Sequence, residues 1–232
     1  MEDLINASSN NCCLRDPVPT SLVKNCASIF APYVSHLFNR SLAEGCIPTS
    51  QKVAVVKPHL QKRGLDIGDR KNLRPVSNLT FISKRLERIV CTQLKAHLES
   101  NSAFPEHPSA YRKFHSTEST LLKVYSDLNM TLGKRNVALL GLLDLSAAFD
   151  TVDHDVLLER LQVSFGVCVT PLKWMKSYVV GRTQTVIVNR SKSSMVKLSF
   201  GIPQGSVLGP LLFVLYTKDI SAIIRRHGLW NY

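Results

Sequence analysis

In the stretch LLGLLDLSAAFDTVDHD, an apolar run over 139–143 ends at Asp144, and Asp150, Asp153 and Asp155 follow closely. A carboxylate on the end of a buried strand is rigidly held. Oxygen donors of that kind suit a hard divalent cation such as Mg2+, which prefers octahedral carboxylate, phosphate and water oxygens. An ion held beside a phosphate activates an attacking oxygen and stabilises a leaving one. The plainer reading of a strand-end aspartate is a cap on the next turn. Asp150, Asp153 and Asp155 fit better as turn and helix-start acids ahead of 156–161, where negative charge is favourable.

A second chemistry-bearing region lies earlier in the chain. Residues 51–90 carry ten Lys/Arg against Asp66, Asp69 and Glu87. Lys57, Lys62, Arg63, Lys71 and Arg74 cluster around a Gly-containing loop, as a phosphate-facing surface would; a solvated loop and helix face is the plainer reading. The whole chain of 232 residues has a formal charge of +12, a field that favours polyanions. With 44% hydrophobic and 20% charged residues it is globular and long enough for a sizeable core.

The six cysteines, at 12, 13, 26, 46, 91 and 168, show neither C-x-x-C spacing nor zinc-finger spacing to histidine. They read as reduced thiols of an intracellular protein. The N-terminus lacks the charged and apolar regions of a signal peptide. No run approaches the ~18 apolar residues of a membrane span.

The elements that must position these residues follow from periodicity and punctuation. Residues 1–15 are polar and expected to be disordered. A helix is expected to start at Thr20 or Ser21, break or restart at Pro32, and end by Gly45. A strand is expected over 52–56, and helices over 81–99 and 117–132. The latter would be capped by Ser116 or Thr117 without a capping box, since no Glu or Gln stands three positions on. Residues 137–144 read as a buried strand, and 154–165 and 171–180 as helices. TQTVIVN and MVKLSF flank RSKS as a hairpin. GIPQGSVLGP is a Gly/Pro turn leading into an amphipathic helix over 207–226, with Pro210 in its first turn. This interleaving gives a mixed α/β (α+β) class.

LLDLSAAFDTVDH and GIPQGSVLGPLLF, in this order, resemble two signature blocks of reverse transcriptases from non-long-terminal-repeat (LINE-type, jockey-like) retrotransposons. DRKNLRPVSNLTFISKRLERIV and SAYRKFHSTESTLLKVYSDL resemble the preceding blocks, and GCIPTSQKVAVVKP the opening one. The resemblance covers 16–232 and implies right-hand polymerase architecture: fingers over about 16–135 and a partial palm over about 136–232. It implies Asp144 as the first catalytic aspartate, with the Leu145 carbonyl helping to hold Mg2+ or Mn2+ once a complete site is assembled. Phe149 matches the aromatic gate beneath the sugar, a ring that tolerates hydrogen at C2′ and clashes with hydroxyl. Arg74 matches the arginine on the incoming triphosphate, where a forked cation suits phosphate oxygens, with Lys57 or Lys62 assisting. Lys71 and Arg112 are expected on the nucleic-acid path. Gln204 would lie along the nascent base pair, and Gly201 and Gly205 would let backbone approach nucleic acid.

The implied partners are an RNA template, a DNA primer and deoxynucleoside triphosphates, with no membrane. The family's Tyr-x-Asp-Asp hairpin, which supplies a second carboxylate, has no counterpart within 1–232, nor has its thumb. From 160 onward Asp219 is the one acid, and a solvated helix residue is its simplest reading. The expectation is therefore an RNA-directed DNA polymerase domain, truncated and inactive as this chain. The alternatives are a noncatalytic nucleic-acid-binding remnant or a translated relic without function.

Overall fold

The computed structural model describes residues 1–8, 13–104, 116–143, 145, 147–189 and 191–230. Five helices build the main core: α3 (Ala27–Glu44), α4 (Phe81–Ser100), α6 (His154–Val163), α7 (Val169–Val179) and α8 (Gly209–Tyr216). Phe38, Leu86, Leu94, Leu98, Leu157, Leu161, Trp174, Leu208 and Leu212 meet in it. Their spacings of four and eight residues put each set on one helix face. A smaller cluster joins α1 (Glu2–Asn6), α2 (Thr20–Asn25) and α3 to the start of α4 through Ile5, Val23, Ala31 and Phe81. Residues 2–6, within the segment expected to be disordered, therefore form a helix, and burial of Ile5 is what ties it down.

The sheet has the order β2-β1-β3-β4, with β5 also pairing β3. β1 (Val53–Leu60) runs antiparallel to β2 (Leu73–Asn78) and parallel to β3 (Thr183–Val188). β4 (Ser191–Lys192) and β5 (Val196–Lys197) fold back on β3, so two residues of the expected RSKS turn are strand. β2, unforeseen in the sequence, is an edge strand, and Pro75 is tolerable there because an edge leaves amides unpaired.

Other boundaries also move. The first helical stretch breaks at Cys26 rather than Pro32, which lies within α3. The expected helix over 207–226 divides into α8 and α9 (Lys218–Arg226) at Thr217. α5 (Thr117–Gly133) does have a capping box: the Ser119 hydroxyl accepts from the Ser116 amide at 2.9 Å, the part usually played by Glu or Gln.

The largest departure concerns 137–144. Residues 137–143 form no strand, and Val137, Leu139, Leu142 and Leu143 are 80–98% exposed. α5, just before it, buries no residue. β propensity becomes a strand only where a neighbour takes the ladder hydrogen bonds, and among the described residues no strand pairs with this segment.

Candidate nucleotide and nucleic-acid site

The GIPQGSVLGP loop is the hub of the site. The Gly201 amide donates to the Val152 carbonyl and the Ile202 amide to the Phe149 carbonyl, both at 2.8 Å. The Gly201 carbonyl also meets buried His154 Nε2 at 2.8 Å. Gly201 has φ +88°, and a Cβ there would stand 3.0 Å from the Phe149 carbonyl oxygen and the Asp150 Cα. Only glycine meets both conditions. The loop and the 147–152 turn are thus fastened backbone to backbone, and Phe149 is fixed at the join. Its half-buried ring also packs against Phe213 of α8, centroids 5.5 Å apart.

The same loop covers the edge of β2. The Ser77 amide donates to the Gln204 carbonyl at 2.8 Å. Gly205, at φ +100°, lies so close that a Cβ would be 3.1 Å from the Ser77 carbonyl oxygen and 3.5 Å from Val76 Cγ1. In the β1–β2 register, Lys57 stands opposite Val76 and His59 opposite Arg74. Residues directly opposite, and residues two apart, share a face of a sheet. Lys57 and Arg74 therefore lie on the face that carries Val76, toward the loop. Arg74 is exposed and Lys57 half-buried. Lys71 is exposed in the turn before β2, its amide donating to Asp69 Oδ1 at 2.9 Å, and Lys62 is exposed in the loop after β1.

Glu87, Arg182 and Tyr178 stabilise this arrangement from beneath, and sequence reasoning missed all three. Glu87 is fully buried, and its Oε2 accepts from the Val207 amide at 2.7 Å and the Leu208 amide at 3.3 Å. Its Oε1 accepts from the Ser83 hydroxyl at 3.1 Å. Burial pushes the Glu87 carboxyl above the usual carboxylate range; Arg182, the two amides and the hydroxyl pull in the opposite direction. Arg182, 1% exposed, donates to the Tyr178 carbonyl at 3.0 Å and stacks its guanidinium 5.0 Å from the Tyr178 ring centre. Burial and the neighbouring Glu87 push the Tyr178 hydroxyl up. A signal for Glu87 existed: it follows Ser83 by four residues and precedes Val90 by three, on the buried stripe of α4. Arg182 offered none.

Asp144 and Arg112 lie outside the described residues, and Leu145 is half-exposed beyond the open 137–143 segment. Among the described residues no three His, Cys, Asp or Glu side chains converge on a metal position. Asp153 is committed as the N-cap of α6, accepting from the Asp155 and Val156 amides. Asp219 pairs with Arg160 at 2.9 Å. Asp150 has no such partner among the described residues, and desolvation pushes its carboxyl up. Cys13, Cys26, Cys46, Cys91 and Cys168 are free thiols. No described helix is long and apolar enough to cross a membrane.

The family model described as reverse transcriptase (RNA-dependent DNA polymerase) matches residues 60–230, from the end of β1 through the loop and α9. The chain belongs to the reverse transcriptase family. It is similar to the RNA-directed DNA polymerase from mobile element jockey of Drosophila funebris, 31% identical over 192 residues, 81% of this chain and 20% of that protein. It is also similar to the probable RNA-directed DNA polymerases of Drosophila melanogaster transposons X-element, 27% identical over 219 residues, and BS, 28% over 188. Those matches cover 94% and 81% of this chain and 24% and 20% of the relatives. The chain thus spans about a fifth to a quarter of the curated relatives it matches. It is a reverse transcriptase domain homologous to those of LINE-type elements, of mixed α/β build, and divalent metal ions are general cofactors of that family.

Proposed function

We propose that this domain binds an RNA template with a DNA primer and the incoming deoxynucleoside triphosphate. The carrying observation is the 201–208 loop, which joins the β2 edge at Ser77 to the Phe149 turn and so gathers Lys57, Arg74, Gln204 and Phe149 around one loop. On this reading Arg74, assisted by Lys57 or Lys62, neutralises the triphosphate; a guanidinium can bond two phosphate oxygens at once. Phe149 lies under the sugar and rejects a 2′-hydroxyl by contact. Gln204 runs along the nascent base pair, and Lys71 and Arg112 hold nucleic-acid backbone. Asp144 and the Leu145 carbonyl would hold Mg2+, which supplies charge neutralisation at the phosphate when bound.

A second reading, nucleic-acid binding without synthesis, is favoured by the exposure of 137–143, which leaves the approach to Asp144 without sheet support. Primer extension on a primed RNA template, run beside equilibrium binding of the same hybrid, separates the two. Binding with Asp144-dependent extension supports the polymerase; binding without extension supports the second reading. No binding at low salt sinks both and favours a relic.

A further inference from the structure

A carboxylate on the buried stripe of a helix is costly unless its oxygens are well used. Glu87 spends one oxygen on two consecutive amides of the loop that bears Gln204, 120 positions away in the chain. α4 supplies the carboxylate, and β2 leads directly into α4 through Leu79 and Thr80. The same rigid piece therefore grips the loop twice, at Ser77–Gln204 from the strand and at Glu87–Val207/Leu208 from the helix. Two grips three to four residues apart fix both the distance and the tilt of the intervening segment. Without Glu87 this piece would hold the loop at Ser77 alone.

We propose that Glu87 is a positioning residue: through the Val207 and Leu208 amides it sets where the loop presents Gln204 to a bound nucleotide. The nucleotide half rests on the reverse transcriptase reading above; the grip itself does not. Ser77 holds the backbone of Gln204 and leaves its half-buried side chain out of that bond. Arg182, Tyr178 and Ser83 complete the buried surroundings of the carboxylate, with Cys91 on the next turn of α4. The Ser206 hydroxyl accepts from the Gly209 amide at 3.0 Å and joins the same loop to the start of α8.

The test uses the 232-residue chain, with Glu87→Ala and Glu87→Gln. Glutamine keeps the volume and one carbonyl acceptor, so it serves as the conservative rescue and guards against a misfolded alanine variant. Hydrogen exchange of a peptide spanning 204–208 reads the grip. Glu87→Ala should exchange there at least tenfold faster, and Glu87→Gln should restore most of the protection. Fluorescence anisotropy with a labelled RNA–DNA primer–template, with and without the matched dNTP and Mg2+, reads the consequence. Glu87→Ala should keep the affinity for the hybrid within about twofold while losing most of the dNTP-dependent tightening. Unchanged exchange overturns the grip. Unchanged tightening in the alanine variant, equal loss of hybrid and nucleotide binding, or no tightening in the wild type overturns the positioning role. A wild-type chain that fails to bind the hybrid sinks the reverse transcriptase reading instead, and the exchange arm still decides the grip.

Discussion

The Ser77 amide donates to the Gln204 carbonyl at 2.8 Å, across 127 positions of sequence. β2 is an edge strand, and an uncovered edge offers unpaired amides and carbonyls to any passing strand. Here the loop covers that edge at Ser77, and its other end is bonded to Val152 and Phe149. A movement of the Arg74-bearing hairpin must therefore be felt at Phe149. The connection runs through backbone, where side-chain variation does not erase it.

The exposed cations of the hairpin should dominate affinity for nucleic acid without reading its sequence. Arg74 and Lys71 are both exposed and precede the Ser77 contact by three and six residues. Each phosphate contact contributes ~0.7–0.9 to the slope of log affinity against log salt. The double variant Arg74→Ala/Lys71→Ala should lower that slope by roughly 1.4–1.8 and weaken binding alike for unrelated hybrids. An unchanged slope in a salt titration would remove these residues from the phosphate path.

Two glycines of the loop should respond differently to alanine. At buried Gly201 a methyl would press on the Asp150 Cα and the Phe149 carbonyl oxygen at 3.0 Å and the Asp150 carbonyl oxygen at 3.1 Å; at exposed Gly205 it would meet the Ser77 carbonyl oxygen at 3.1 Å. Both pay for a positive φ, on the order of 1–3 kcal/mol. Gly201 would have to displace three backbone atoms and Gly205 one. Gly201→Ala should therefore lower the urea midpoint more than Gly205→Ala. Gly205→Ala should instead raise exchange of the Ser77 amide. Equal midpoints would show that the 147–152 turn can yield.

The buried Glu87 carboxyl has a definite sign in its effect on stability. Its folded value is raised above the ordinary one by burial, so the folded state holds the proton more tightly than the unfolded. That contribution is complete below the ordinary carboxyl value, near 4.3, and is lost as pH rises through the raised value. Arg182, Tyr178 and Cys91 face the same carboxyl, and of these Arg182 limits the rise. Urea unfolding of wild type and Glu87→Gln from pH 4 to 9 isolates the effect by difference. Wild type should lose stability relative to the variant as pH increases. A constant difference would mean that Glu87 titrates alike in both states.

The helices were legible because a helix carries its own hydrogen bonds, and spacing alone reveals its buried face, as with Leu86, Leu94 and Leu98. Strands were harder, since a strand is defined by its neighbour. LRPVSN has two residues that discourage sheet, yet it is β2 because β1 lies beside it. The run over 137–143 has the better composition and stays open because no described strand lies beside it. The candidate residues Lys57, Arg74, Phe149 and Gln204 were named from motif blocks, and the sequence could not say that one loop lies among them. Glu87 was hidden by company: among ten cations it looked like a surface counter-charge, although its helical phase placed it inside.

The final prediction concerns synthesis. Two-metal phosphoryl transfer needs carboxylates from two elements, one ion to activate the primer 3′-hydroxyl and one to hold the triphosphate. Residues 1–232 offer Asp144 for the first, and of the described acids Asp153 is taken as a helix cap and Asp219 pairs with Arg160. On the proposed reading, nucleotide binding through Arg74 and Gln204 does not require the second ion, so it should survive where turnover does not. The purified 232-residue chain should therefore bind primed RNA and dNTP with Mg2+ or Mn2+ and extend no primer. The same chain carrying a relative's Tyr-x-Asp-Asp hairpin and thumb should extend it, and Asp144→Ala in that longer protein should abolish extension while leaving hybrid affinity within about twofold. Extension by the 232-residue chain alone, stopped by Asp144→Ala, would require a second carboxylate from Asp150 or from another copy. Asp150→Asn, and mixing Asp144→Ala chains with intact ones, would then tell which.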